Sequence, residues 1–436
     1  VPAPETAAPQ RPAAAQASQI RQIVGGAAGN LVEWYDWYAY SAFALYFGPR
    51  FFPPGDDLAA LLNTAAIFAV GFLMRPIGSW LLGVWADRRG RKAALTLSVT
   101  MMCAGSLLIA VAPTYDQVGL AAPAILLLAR LVQGLSVGGE YGASATFMSE
   151  VAQARWRGFL ASFQYVTLVG GQLLALALLV LLQAALDEAA LTAWAWRIPF
   201  VVGAACAVLV FWLRRGLVET EAFTNAQRAG SQRELLGRLL SHPRQLALVL
   251  ALTAGGSLWF YTFTTYMQKY LVLTAGWSKP DATSASAIAL FAYMLMQPAF
   301  GALSDLVGRR ALLIAFGGLA SLCTVPALDA LGAAAPGPGA LLLLIACLAV
   351  LSCYTAISGV VKAEMFPADV RALGVGMPYA VGVALFGGSA EYVAGAFKYA
   401  GIERGFFWYV SIMAGIFLVA ALLLPDPRAH SRIETG

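Results

Sequence analysis

Twelve runs of about 20 apolar residues follow one another along this chain, each long enough to cross roughly 30 Å of hydrocarbon. They fall approximately at 23–48, 60–86, 93–114, 120–147, 158–184, 193–213, 245–273, 284–305, 311–331, 339–361, 371–397 and 404–425. A lipid-exposed segment must satisfy its backbone internally, so the runs are read as helices and the fold as an all-α membrane protein. The composition agrees, with 60% hydrophobic and 12% charged residues. Nineteen of the 28 Lys and Arg fall on one side of the alternating topology, and only Arg50, Lys279, Lys398 and Arg404 fall on the other. The positive-inside rule then puts both termini in the cytoplasm, and the net charge of +5 reads as topology, with no nucleic-acid partner.

The chain repeats itself. Gly83, Asp87, Gly90 and Arg91 form a GxxxDxxGR pattern that returns as Gly301, Asp305, Gly308 and Arg309. Glu150 precedes Arg157 by the same seven residues that separate Glu364 from Arg371. Two related six-helix halves follow, with a site expected where they meet. The expected divisions are a disordered tail over 1–19, a first bundle over 20–213, a linker over 214–243, a second bundle over 244–425 and a short tail over 426–436. The linker is basic, and Leu235, Leu236, Leu239 and Leu240 have the spacing of a helix lying on the membrane surface.

Enzyme chemistry has little to work with. The five cysteines sit in apolar runs without metal-ligand spacing, and the two histidines, His242 and His430, lie in the linker and the tail. No catalytic residue, metal or cofactor is expected. Information lies instead in the charges placed inside spans, because each costs roughly 2.5–3.5 kcal/mol at the bilayer centre on insertion scales. Arg75, Arg130, Arg197, Lys269 and Lys362 are the bases, and Glu33, Asp36, Glu140 and Glu391 the acids. Asn30, Glu33, Trp37 and Tyr40 make one polar and aromatic stripe on the first span, with Asp36 beside it. Arg130, Gln133, Glu140 and Ser144 do the same on the fourth, so a cation and carboxylates on facing helices could form a proton-sensitive pair or simply tie the helices together. Arg75, before Pro76, is the most deeply placed base. Lys269 and Arg197 lie towards outer ends, and Lys362 with Glu364 at an inner end suits a gating salt bridge.

Twelve spans with the repeated loop resemble the major facilitator superfamily, as does the Arg-Leu-Val-Gln-Gly run from Arg130 to Gly134. The segments GNLVEWYDWY (29–38), GFLMRPIGSWLLGVWADRRGRK (71–92), LLARLVQGLSVGGEYGASATFMSE (127–150) and AEMFPADVRALGVG (363–376) resemble its metabolite:proton symporter family. SFQYVTLVGGQLLAL (162–176), WRIPF (196–200), FYTFTTYMQKYLV (260–272) and FGGSAEYVAG (386–395) are similar to a dicarboxylate-carrying branch of that family. Arg89 departs from the branch, which carries His there, in a loop assigned to gating. The resemblance implies two bundles rocking around a central site and proton-driven uptake of 2-oxoglutarate or a related dicarboxylate by a monomer in a bacterial inner membrane. Shikimate, citrate, betaine or proline remain alternative substrates, and a nontransporting sensor would keep the same motifs. Substrate contacts are expected from Arg75, Arg130, Arg197, Lys269, Tyr40, Tyr261 and Gln164, and proton coupling from Glu33, Asp36 and Glu140. The cytoplasmic gate is expected from Asp87, Arg91, Glu150, Asp305, Arg309, Lys362 and Glu364.

Overall fold

The computed structural model describes residues 13–89, 91–137, 156–215, 237–367 and 370–425. Helices α1 (Ala13–Phe47), α2 (Asp57–Arg89), α3 (Arg91–Val111), α4 (Ala121–Val137), α5 (Arg157–Ala185) and α6 (Ile198–Arg215) form the first half. The second half holds α7 (Pro243–Leu273), α8 (Lys279–Val307), α9 (Arg309–Ala333), α10 (Pro338–Glu364), α11 (Arg371–Tyr399) and α12 (Glu403–Leu423). Among the described residues nine helical spans are both long and apolar enough to cross a membrane, and shorter apolar helices at Thr96–Val111 and Ala121–Val137 occupy the third and fourth places. The helix bounds track the apolar runs closely, because length and hydropathy alone determine them.

One expectation changes. The segment 13–19, expected to belong to a disordered tail, is already part of α1. Its run of alanines at 13–15 and 17 has the highest intrinsic helix propensity, so the helix extends towards the N-terminus. Of the linker, 216–236 lies outside the described residues, including Leu235 and Leu236. Leu239 packs with Val249, Ala363, Phe366, Val370 and Val375, while Leu240 is exposed. The tail 426–436 also lies outside.

Within the first half α1 packs on α5 and α6, α2 on α4, and α3 on α4 and α6; within the second, α9 and α7 pack on α12, and α8 and α9 on α10. The halves meet along α5 with α8 and along α2 with α11. Glycine lets the α5–α8 pair cross closely. A Cβ at Gly158 would stand 2.6 Å from the Gly301 carbonyl oxygen, and one at Gly301 would stand 2.6 Å from that of Gly158. Large apolar side chains such as Trp80, Trp212, Leu322 and Ile412 remain exposed, as expected of a lipid-facing perimeter.

Two spans are irregular at mid-length. The helix widens to a π turn at Thr262–Tyr266 in α7 and again at Val383–Gly387 in α11. Such turns carry one extra residue and concentrate at functional sites.

Candidate functional site

The polar face of α1 turns inward. Trp37 is almost completely buried, and a guanidinium lies over its ring from each of two other helices: Arg75 of α2 at 4.1 Å and Arg130 of α4 at 3.9 Å from the centroid. Arg75 also lies 4.1 Å from the Phe72 ring and 5.0 Å from Trp34. Arg130 also faces Tyr40 at 4.4 Å and Phe68 at 5.2 Å. Aromatic faces attract cations by roughly 0.5–2 kcal/mol each, which offsets part of the cost of burying charge without removing it. Neither arginine forms an ion pair with a described carboxylate. Nε and Nη2 of both, together with Trp37 Nε1, are buried donors that bond to no described residue. Native structures seldom leave buried donors unpaired, so five at one place mark a site built to meet acceptors.

Asp36 lies behind this cluster. Ser106 donates to its Oδ1, and Gln133 Nε2 donates to Oδ2 at 2.6 Å while Arg130 Nη1 donates to Gln133 Oε1 at 2.8 Å. The expected cation–carboxylate pair is therefore indirect: Gln133 stands between Arg130 and Asp36. A side chain at Gly203 of α6 would collide with Asp36, so α6 closes the back of the pocket. Glu33 is buried on the same helix. Glu140 lies outside the described residues.

The remaining predicted contacts divide. Tyr261 of α7 stacks edge-on to Phe72, with centroids 5.3 Å apart, and faces Tyr38 at 6.3 Å, so it joins the aromatic wall from the other half. Tyr40 turns its hydroxyl to the Thr64 carbonyl at 3.1 Å. Gln164 is buried in α5, and Gln172, two turns on, donates to Thr264 O of α7 at 2.8 Å. Arg197 stands apart. It is held at a helix end by the Ala112 carbonyl, 3.0 Å from Nη2, and stacks on Trp196 at 4.1 Å. Lys269 already has an acid, Glu391 at 2.8 Å, and also donates to Ser41 of α1.

The end of the bundle that carries the basic loops is closed by a second cluster. Asp305 of the repeated motif accepts from the backbone N–H groups of Gly158 and Phe159, both at 3.0 Å. It thereby caps the first turn of α5 from the opposite half, where a carboxylate meets unpaired amides and the positive end of the helix dipole. Gly301 allows the close crossing, Gly308 turns the chain with φ +98°, and Arg309 reaches Glu364 at 2.7 Å. Arg157 reaches the same Glu364 at 3.7 Å, so one cation from each half shares a single buried acid of the second half. Lys362 points elsewhere, donating to Ser358 at 2.8 Å and Tyr354 at 3.2 Å beside the Tyr379 ring. Glu150 and the side chains of Asp87 and Arg91 lie outside the described residues.

Sequence reasoning singled out Lys269 and Glu391 as charges within spans, with Lys269 towards an outer end, but did not connect the two, 122 positions apart. The signal was present, since Glu391 is the acid that stands alone in the eleventh span. Between the halves, cavities of about 20 Å³ beside Lys269 and Glu391 and about 10 Å³ beside Tyr38 and Gln172 hold at most single waters. Among the described residues the halves are thus joined at both ends, around a buried centre lined by cations.

Paired bundles of spanning helices, joined by buried contacts around such a centre, make up a multi-pass membrane transporter. Residues 23–234 match the family described as Sugar (and other) transporter, and residues 268–436 match the Major Facilitator Superfamily. The chain is 56% identical over 406 residues to the alpha-ketoglutarate permease of Escherichia coli, covering 93% of this chain and 94% of that one. It is 32% identical over 414 residues to a citrate-proton symporter of Salmonella typhi, covering 95% of each. Among solved structures, the partially occluded inward-open xylose transporter XylE of Escherichia coli superposes with a TM-score of 0.74 at 19% identity, over 94% of this chain and 98% of that one. This chain belongs to the major facilitator superfamily, within its metabolite:proton symporters.

Proposed function

We propose that this chain carries 2-oxoglutarate or a closely related dicarboxylate inward together with protons, by alternating access. The observation that carries the reading is the pair of buried guanidiniums on either side of Trp37, with their Nε and Nη2 donors unengaged by described residues. A dianion supplies the acceptors these donors lack, and the planar arginine fork matches a carboxylate with two parallel bonds. When Arg130 turns a donor to substrate, its link through Gln133 to Asp36 loosens. Asp36 then takes a proton, with Glu33 as the neighbouring acid on the same helix.

Residues 20–213 and 244–425 act as the two rocking bodies, joined by the linker 214–243. The basic end faces the cytoplasm together with both termini, in a bacterial inner membrane, and the working unit is a monomer without enzymatic activity. The cluster of Asp305, Arg309, Glu364 and Arg157 is the cytoplasmic gate. The test is uptake of labelled 2-oxoglutarate into proteoliposomes under an inward proton gradient, challenged with succinate, citrate, shikimate and betaine. Accumulation that collapses with a protonophore and yields mainly to dicarboxylates is expected. Competition chiefly by betaine or shikimate would overturn the substrate, and accumulation insensitive to the protonophore would overturn the coupling.

A further inference from the structure

Lys269 and Glu391 tie α7 to α11 by an ion pair of 2.8 Å. Ser41 of α1 completes the join. Lys269 Nζ donates to Ser41 O at 2.9 Å and Ser41 Oγ at 2.7 Å, while Ser41 Oγ also bonds to Glu391 Oε1. One half of the molecule is therefore fastened to the other through three buried residues. The fastening is not sealed. The cavity of about 20 Å³ touches both Lys269 and Glu391 and continues past Leu61 and Leu62 to Lys398, which is partly exposed and pairs with Glu403 at 3.3 Å. A water fits there, between the acid and the end of the bundle opposite the cytoplasmic gate.

The position of the pair adds a second observation. Lys269 stands three residues beyond the π turn of α7, and Glu391 four beyond the π turn of α11. Both halves of the pair thus stand about one turn beyond the irregular part of their helix, where the backbone can change register most easily. Other groups face Glu391 as well: Tyr266 and Tyr261 of α7, Tyr40 of α1, Arg130 of α4 and Lys398 of α11. Helix α2 presents only Leu58, Leu61, Leu62 and Ala65 to the cavity, and Glu403 of α12 is occupied by Lys398. Among the described residues Lys269 is the only cation in ion-pair contact with Glu391.

Given a dicarboxylate substrate, as proposed above, we propose that Glu391 is the proton-bearing competitor of that substrate for Lys269. A proton entering through the cavity neutralises Glu391, and the Ser41 link releases. Helix α1 then parts from α7 and α11, and the freed ammonium takes the substrate carboxylate that Arg75 and Arg130 do not hold. A buried ammonium without a counter-ion is costly, so once Glu391 is neutral Lys269 is drawn to the substrate carboxylate. Proton and anion therefore favour each other's binding, as reciprocal linkage requires. After the substrate leaves, Glu391 gives up its proton and reclaims Lys269.

Two measurements on the full chain test this. The first is equilibrium binding of labelled 2-oxoglutarate in detergent from mildly acid to mildly alkaline pH. Affinity is expected to fall as pH rises, approaching about tenfold per pH unit for one linked proton. Glu391→Gln is expected to bind tightly with the share of the slope due to one proton removed, leaving only the share due to Asp36, and Glu391→Asp to restore it. A slope unchanged in Glu391→Gln overturns the assignment, as does loss of binding at every pH in both variants, which would make Glu391 a structural anchor.

The second measurement needs no substrate. A Leu61→Cys reporter, with the five native cysteines replaced by alanine, is labelled in proteoliposomes by a membrane-impermeant maleimide. Labelling is expected to rise on acidification relative to the same reporter combined with Glu391→Gln, where it is high at every pH. Identical behaviour in the two backgrounds overturns the latch. A responsive latch in a protein that binds no 2-oxoglutarate would count against the dicarboxylate reading alone.

Discussion

Replacing Arg75 by glutamine separates a binding cation from a structural one, because the two roles predict different changes in stability. In the substrate-binding role, the free Nε and Nη2 donors make two charge-assisted bonds to a carboxylate, together about 3–6 kcal/mol, and glutamine returns one neutral bond of about 1 kcal/mol. The net loss of about 2–5 kcal/mol raises Kd between about thirtyfold and several thousandfold, at 1.4 kcal/mol per decade. The substrate-free protein should lose little. Three ring contacts disappear, but so does a buried charge that no described carboxylate neutralises, and these effects oppose each other. Binding of labelled 2-oxoglutarate and thermal unfolding without substrate are the two readouts. Arg75→Lys, which keeps the charge and loses the fork, should fall between the wild type and the glutamine variant in affinity. An unchanged Kd in Arg75→Gln would remove Arg75 from the pocket, and an unchanged Kd with a Tm several degrees lower would identify it as a structural cation.

Asp36→Asn should keep exchange of labelled for unlabelled substrate across the bilayer and lose accumulation driven by a proton gradient; retained accumulation would move the proton elsewhere. Glu364→Gln leaves Arg157 and Arg309 facing each other without their shared acid, a loss of about 3–5 kcal/mol for a broken buried pair. The cytoplasmic gate should then stand open, read as faster labelling of a cysteine placed beneath it, and wild-type labelling would contradict the gate assignment. Gly158→Ala inserts a methyl group against the Gly301 carbonyl and Asp305, an overpacking cost of about 1–3 kcal/mol. It should lower Tm and open the same gate, whereas Gly318→Ala, where a Cβ meets nothing within 4 Å, should leave both unchanged.

The spans were legible because each is set by about 20 consecutive residues and needs no information from elsewhere in the chain. Arg75, Arg130 and Trp37 were legible for a related reason: a charge or stripe on an apolar helix is conspicuous, and lipid leaves it nowhere to face except inward. What they face was harder to read. Gln133 looked like one more polar residue on α4, yet it is the element that joins Arg130 to Asp36. Arg197 was drawn towards the pocket by the same burial logic as Arg75, but a carbonyl at the end of α3 suffices to hold it. The repeated motif singled out Asp305, and the gate proposed for it rests on that motif. That its partner is the amide end of α5 could not be seen, since backbone donors carry no sequence signature.

The π turns of α7 and α11 have a consequence for how this chain tolerates change in length. A regular α-helix advances about 100° per residue, so a surplus residue held in a regular turn would rotate everything beyond it by about that angle, whereas a widened turn absorbs the surplus and keeps the flanking segments in phase. Lys269 and Glu391 thus keep their facing while each helix holds one residue more. Deleting one residue from Thr262–Tyr266 should restore a regular turn and leave Lys269 facing Glu391 and Ser41, whereas a deletion from a regular stretch of α7 would turn Lys269 relative to the residues before it. A matching deletion in Val383–Gly387 should spare Glu391 in the same way. Indels confined to these two turns are therefore a route by which such a transporter could change the length of these helices without losing this interhelical lock.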